Sequence, residues 1–188
     1  MDEQQDNISN YQRIAKLLTK NYIHRLFKPD CLSILSEMNL RANIKILDVG
    51  CKNGSLLFTL ASFLENCELH GVDINPRHIQ KNQSRSKYKN VRFHCASADD
   101  LPFENNYFDL IACTNALHHF PKRARSLDEM YRVLKSNGEL YLLEGIRDDK
   151  WKNRFEKILR QSKFIRPEKK FLPRTALFSK SYFIHYIK

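Results

Sequence analysis

From residue 45 onward, short apolar runs alternate with stretches whose apolar residues recur at helical spacing. The runs at 45–49, 68–73, 91–95, 108–113 and 138–144 predict strands, and 55–65, 76–86 and 124–134 predict helices. Strands that are apolar on nearly every position, with helices between them, predict a parallel sheet covered on both faces. Trp151, Phe155, Ile158 and Leu159 then make one stripe on a helix from 149 to 162, followed by aromatic strands near 171–178 and 181–187. Upstream, Tyr11, Ile14, Leu17 and Leu18, then Cys31, Leu32, Leu35 and Met38, predict two helices over 8–40, separated near Pro29. No repeat or Gly/Ser linker divides the chain. It reads as one domain over 1–188: disordered 1–7, helices 8–40, a core over 45–144, and a C-terminal helix and strands over 145–188.

Composition narrows the class. The chain has 188 residues, 42% of them hydrophobic, enough for one well-buried core. Its densest apolar stretch, Leu56 to Leu64, is far short of the roughly 20 residues of a membrane span, and the polar start lacks a signal-peptide profile. We therefore expect a soluble, cytoplasmic protein. Cys31, Cys51, Cys67, Cys95 and Cys113 are scattered without a C-x-x-C pair, as buried thiols in a reducing compartment would be. The net charge of +11 is unevenly spread: residues 46–150 carry 14 basic and 14 acidic side chains, whereas 151–188 carry 11 and 2. A second basic block runs through Arg77, Lys81, Arg85, Lys87, Lys89 and Arg92, with no acid between Ile74 and Ala98. Its plain reading is a solvated helix face.

Open sheets of this type bind ligands beyond the carboxyl ends of their strands. The unusual residues gather there. ILDVGCKNGSL, from Ile46 to Leu56, is a strand that breaks into a loop with Gly50 and Gly54 and then opens a helix. Such a loop brings backbone N–H groups close to a polar ligand. Asp73, about twenty positions on, is placed to accept from ribose hydroxyls. Neither the dinucleotide pattern G-x-G-x-x-G nor the phosphate loop G-x-x-x-x-G-K-[ST] is satisfied. Later strands end in ASADDLPF, TNALHHF and EGIRDD, all on the same edge.

Together these segments resemble the class I S-adenosylmethionine-dependent methyltransferases, in the branch similar to ubiquinone and menaquinone biosynthesis C-methyltransferases. ILDVGCKNGSL resembles the first motif, GVDINP the acidic ribose loop, ASADDLPF the adenine loop, FDLIACTNALHHF the fourth-strand motif, and RVLKSNGELYLLE the helix-turn-strand that closes the core. The resemblance implies a Rossmann-like α/β three-layer sandwich with a seven-stranded, mostly parallel sheet and an antiparallel last strand. It implies S-adenosylmethionine as methyl donor. Gly50 and Gly54 would shape the loop under its methionine part, Asp48 would support the amino group, and Asp73 would hold the ribose. Ile74 would pack on the adenine, Ser97 and the Ala98 amide would face its edge, and Asn115 would sit near the sulfur. Lys52 stands where the family usually has its middle glycine, and Ser97 where it usually has an aspartate. Lys52 then either strains the loop or offers its ammonium to the cofactor carboxylate.

Methyl transfer needs alignment more than side-chain chemistry, but a base helps when the acceptor must lose a proton, and His118 and His119 are the candidates. Adjacent histidines point apart, so no metal site is expected. The leading reading is an enzyme methylating a small molecule, anionic or lipid-like given the basic C-terminal region. The alternatives are an RNA or protein methyltransferase using the basic surface, and a degenerate binding subunit of the same fold. With no long insertion after Glu144, the substrate side would be closed by helices 8–40, by 164–180, or by another chain, a second copy included.

Overall fold

The computed structural model describes residues 34–35, 37–145, 148–164, 168–172 and 181–188. The helices expected over 8–40 fall almost wholly outside these residues, as does most of 164–180. Strands are β1 (Lys45–Val49), β2 (Glu68–Asp73), β3 (Val91–Cys95), β4 (Phe108–Thr114), β5 (Leu134–Gly145), β6 (Glu168–Leu172) and β7 (Ser181–Ile187). The helices among them are α1 (Ser55–Ala61), α2 (Pro76–Arg85), α3 (Arg123–Val133) and α4 (Asp149–Arg160). One seven-stranded sheet results, in the order β3-β2-β1-β4-β5-β7-β6. Neighbours from β3 to β5 pair in parallel, whereas β7 is antiparallel to both β5 and β6.

Strand alternation sends one set of apolar side chains to each face. Ile46, Leu69, Leu110, Ala112 and Leu143 join α1, Ile79 of α2, and Ile34, Leu35, Met38 and Leu40 on one side. Leu47, Val72, Ile111, Cys113, Leu140 and Leu142 join α3 and α4 on the other. This double burial explains why the strands read as continuous apolar runs.

Some boundaries differ from the sequence reading. The first core helix stops at Ala61, not 65, because the chain turns with the Phe63 amide on the Leu60 carbonyl at 3.2 Å. β5 begins at Leu134, which pairs with Phe108 before a register shift, and Asn137 takes a left-handed φ of 62° in the irregular stretch. β6 is described over Glu168–Leu172, starting earlier than the strand expected near 171–178, of which 173–178 lie outside the described residues. Cys51, Cys67 and Cys113 are buried as expected, but Cys95 is exposed, since it ends the edge strand β3. Among the described residues, no helix is long and apolar enough to cross a membrane.

Candidate cofactor site

The first loop is built around two left-handed glycines. Gly50 has φ of 79°, and a Cβ there would stand 2.5 Å from the Cβ of Ala116, so the loops after β1 and β4 touch only because this residue has no side chain. Its amide donates to the Val72 carbonyl at 2.8 Å. Gly54, with φ of 66°, precedes α1 and lies against the rings of Phe58 and Phe93.

Lys52, between them, is also left-handed, with φ of 45°. Its surroundings hold it there. Its amide donates to Asp73 Oδ2 at 2.9 Å, its carbonyl accepts from Asn82 Nδ2 at 2.8 Å, and its Nζ donates to the Asn115 carbonyl at 3.0 Å. A strained residue persists when its neighbours over-determine it in this way.

Asp73, at the end of β2, ties the first loop to the second. Besides the Lys52 amide it accepts the Asn75 amide on Oδ1 at 2.9 Å, and His78 Nδ1 stands 3.3 Å from the same oxygen. Each carboxylate oxygen retains acceptor capacity. Asp48 is buried beneath the loop. Burial and then the charge of Asp73 push its carboxyl up to about 7, against the opposing pull of Lys52.

The loop after β3 is fastened to α3. The Leu101 amide donates to Glu129 Oε2 at 3.0 Å, and Arg132 donates to the carbonyls of Leu101 and Phe103 at 2.9 and 2.7 Å. The Arg132 guanidinium in turn holds the Glu129 carboxyl below its ordinary value. Within the loop, the Ser97 hydroxyl donates to Asp99, which also pairs with Lys122 at 3.0 Å. This hydrogen bond, followed by that of Lys122, holds the Asp99 carboxyl low. With its hydrogen committed to Asp99, the Ser97 oxygen keeps lone pairs to offer a donor.

After β4, Asn115 turns with φ of 46°, and its Oδ1 accepts the Gly145 amide at 2.9 Å. His118 Nδ1 lies 2.7 Å from Glu144 Oε2, and the His118 and His119 ring centres are 3.9 Å apart.

These loops enclose a cavity of about 210 Å³. Gly50, Lys52, Asp73, Ile74, Ser97, Ala98 and His119 line it, and Ile74 is 68% exposed. Of the other residues singled out in the sequence, Asp48, Gly54, Asn115 and His118 do not line it: Asp48 is buried near Asp73 and Lys52, Gly54 lies against the rings of Phe58 and Phe93, Asn115 bonds Lys52 and the Gly145 amide, and His118 bonds Glu144. Two participants carried no signal in the sequence reading. His78 enters from the first turns of α2 beside Asp73, and Glu144 reaches His118 across 26 positions of chain.

Comparison with known proteins gives the setting. A family model described as a methyltransferase domain matches residues 40–170. An uncharacterized methyltransferase of Bacillus subtilis, YcgJ, is 33% identical over 114 residues, 59% of this chain and 44% of that protein. The ubiquinone/menaquinone biosynthesis C-methyltransferase UbiE of Rickettsia bellii is 32% identical over 146 residues, 73% of this chain and 57% of that protein. The chain thus spans about half the length of the curated relatives it matches. Among solved structures, a SAM dependent methyltransferase from Aquifex aeolicus superposes with a TM-score of 0.71 at 19% identity, covering 94% of this chain and 97% of that one. The [4+2]-cyclase SpnF does so with 0.73 at 17% identity, covering 98% and 96%. The shared fold alone therefore does not decide the reaction.

Proposed function

The chain belongs to the S-adenosylmethionine-dependent methyltransferases, and from that membership we propose that it transfers a methyl group from S-adenosylmethionine to a small-molecule acceptor. The observation that carries this reading is Asp73, a carboxylate fixed by two loop amides at the wall of a cavity that also presents an exposed Ile74 and the acceptor oxygen of Ser97. The donor set suits an adenosine: a charged acceptor for the ribose, an apolar surface for the flat base, and a neutral acceptor for its amino group. Asp48 would face the amino group of the methionine part and Lys52 its carboxylate.

S-adenosylmethionine supplies an electrophilic methyl group on a sulfonium. The residues of the chain supply alignment and exclusion of water, which account for most of what such a displacement needs. Gly50 and Ala116, in mutual contact, close the floor between the first and fourth loops.

Isothermal titration with S-adenosylhomocysteine tests the reading; no heat of binding at millimolar ligand would overturn it. The same titration carries a pH signature. With a folded value near 7, Asp48 is largely neutral at pH 6, and a ligand ammonium draws it to the charged form. Affinity should therefore rise roughly tenfold from pH 6 to 7.5, then flatten as Asp48 becomes fully ionised in the free chain as well. Asp48→Asn should remove the rise. The linkage to stability has the opposite sign. Its folded value lies above the unfolded one, so the free chain loses stability from this group as pH rises between about 4 and 7.

Lys52→Gly separates strain from charge. The left-handed φ already exists without ligand, so relieving it should raise folding stability, by up to about 1 kcal/mol, and leave affinity untouched. Loss of the ammonium should weaken binding about threefold, less at high salt. Tighter binding of S-adenosylhomocysteine by Lys52→Gly would contradict this account.

A further inference from the structure

We propose that the outward side of α2 is a docking surface for a nucleic-acid strand, held through its phosphates. The inference goes beyond the reaction proposed above and does not depend on it.

Arg77, Lys81 and Arg85 follow one another at four-residue intervals on α2, about 6 Å apart along the helix. Lys87 and Lys89 continue the row past the end of the helix. All five are exposed, and no Asp or Glu stands between Ile74 and Ala98. Arg92, Lys122 and Arg125, also exposed, meet the carboxylates of Glu68, Asp99 and Glu129 at 2.9, 3.0 and 3.7 Å. None of the five has such a partner among the described residues. The row is anchored at both ends of the helix. It starts beside His78, which lines the cavity, and the Arg85 guanidinium donates to the Asn53 carbonyl and lies over the Phe58 ring at 4.7 Å, against the first loop.

A merely solvated helix face would not be built this way. A cation in the first turn opposes the helix dipole, and like charges four residues apart repel. α2 accepts both, with Arg77 as its second residue and no acid in its first turn. The basic helix α4 does not, since Asp149 stands in its first turn and Glu156 pairs with Arg160. Choices that weaken their own element mark a face kept for something other than the fold.

The chemistry of the face selects the partner. Gln80 and Ser84 stand between the cations, and the large apolar side chains left exposed among the described residues are Ile74, in the cavity wall, and Ile187, at the end of β7. A protein interface needs an apolar centre and a membrane surface needs apolar side chains to insert. This face offers neither. It offers regularly spaced positive charge, which a phosphodiester backbone matches, with counterion release supplying the affinity.

Fluorescence anisotropy tests this with the full chain. A labelled single-stranded RNA of about 20 nucleotides should bind with a dissociation constant on the order of micromolar at about 50 mM salt, weakening with a log–log slope of about −3. Single-stranded DNA of the same sequence should bind within about threefold, because phosphates carry the contact. Reversing Arg77→Glu, Lys81→Glu and Lys87→Glu together should weaken RNA binding at least tenfold and flatten the slope by about 2. The same charge change on α4, by Lys150→Glu, Arg154→Glu and Lys157→Glu, should alter affinity by less than about threefold. The melting temperature of the α2 variant should equal or exceed that of the wild type, since the first-turn cation is gone. Should it fall, the neutral set Arg77→Gln, Lys81→Gln and Lys87→Gln decides, and must weaken RNA binding at least about threefold. No binding at low salt, a strong preference between RNA and DNA, equal losses from the two helices, or tighter binding to phosphatidylserine vesicles or polyglutamate than to RNA would overturn the proposal. Titration with S-adenosylhomocysteine judges the methyltransferase reading separately.

Discussion

Asp73→Ala is expected to weaken binding of S-adenosylhomocysteine about a hundredfold, and no less than tenfold, or about 1.4 kcal/mol. Two losses combine. The ribose loses a charged acceptor, whose hydrogen bonds are worth about 1.5–3 kcal/mol each. The amides of Lys52 and Asn75, both held by this carboxylate at 2.9 Å, lose their partner, and the two loops lose the group that joins them. Asp73→Asn keeps one acceptor oxygen and should fall between. Titration calorimetry of the two variants checks the ordering; an unchanged affinity in the alanine variant would remove Asp73 from the site.

Gly50→Ala should be the more damaging change to the fold. A left-handed alanine costs roughly 1–2 kcal/mol, and a Cβ 2.5 Å from that of Ala116 adds overpacking worth about 1–3 kcal/mol. The sum, about 3 kcal/mol, lowers the melting temperature by roughly 6–12 °C for a chain of this size. Cofactor binding should be lost with it, since the loops after β1 and β4 must part to make room. The two causes are separable. Adding Ala116→Gly should restore the packing share of the loss and leave the backbone share, and a double variant no more stable than Gly50→Ala would show that the contact is not the reason.

Much of this was legible in the chain because the strands at 45–49 and 68–73 are buried on both faces and bounded by loops, so pattern and pairing agree. Gly50 and Asp73 were found by spacing from those strand ends and Ile74 and Ser97 through the family resemblance, and the four meet at one cavity. The start of β5 was not legible, because the bridge of Leu134 to Phe108 is decided by a distant strand and not by local periodicity. Glu144 closed an apolar run and gave no hint of His118, since a hydrogen bond across 26 positions leaves no local trace. Lys52 left two readings open, strain or charge. The structure shows the left-handed φ of 45° and places the ammonium on the Asn115 carbonyl; its pairing with a cofactor carboxylate belongs to the proposal.

The order β5-β7-β6 has a consequence for how the chain folds. β5 pairs with β7 over seven residue pairs, from Glu139 with Ile187 to Gly145 with Ser181, and among the described residues β6 reaches the sheet only through β7. The sheet therefore cannot be assembled in the order in which it is synthesised. After β1 to β5 have come together, β5 remains a raw edge of unpaired N–H and C=O groups, and β6 has nowhere to dock until the strand that follows it arrives. During that interval the nascent protein carries its greatest exposure to edge-to-edge association. The segment Ser181–Ile187 ends it twice over, by capping β5 and by recruiting β6.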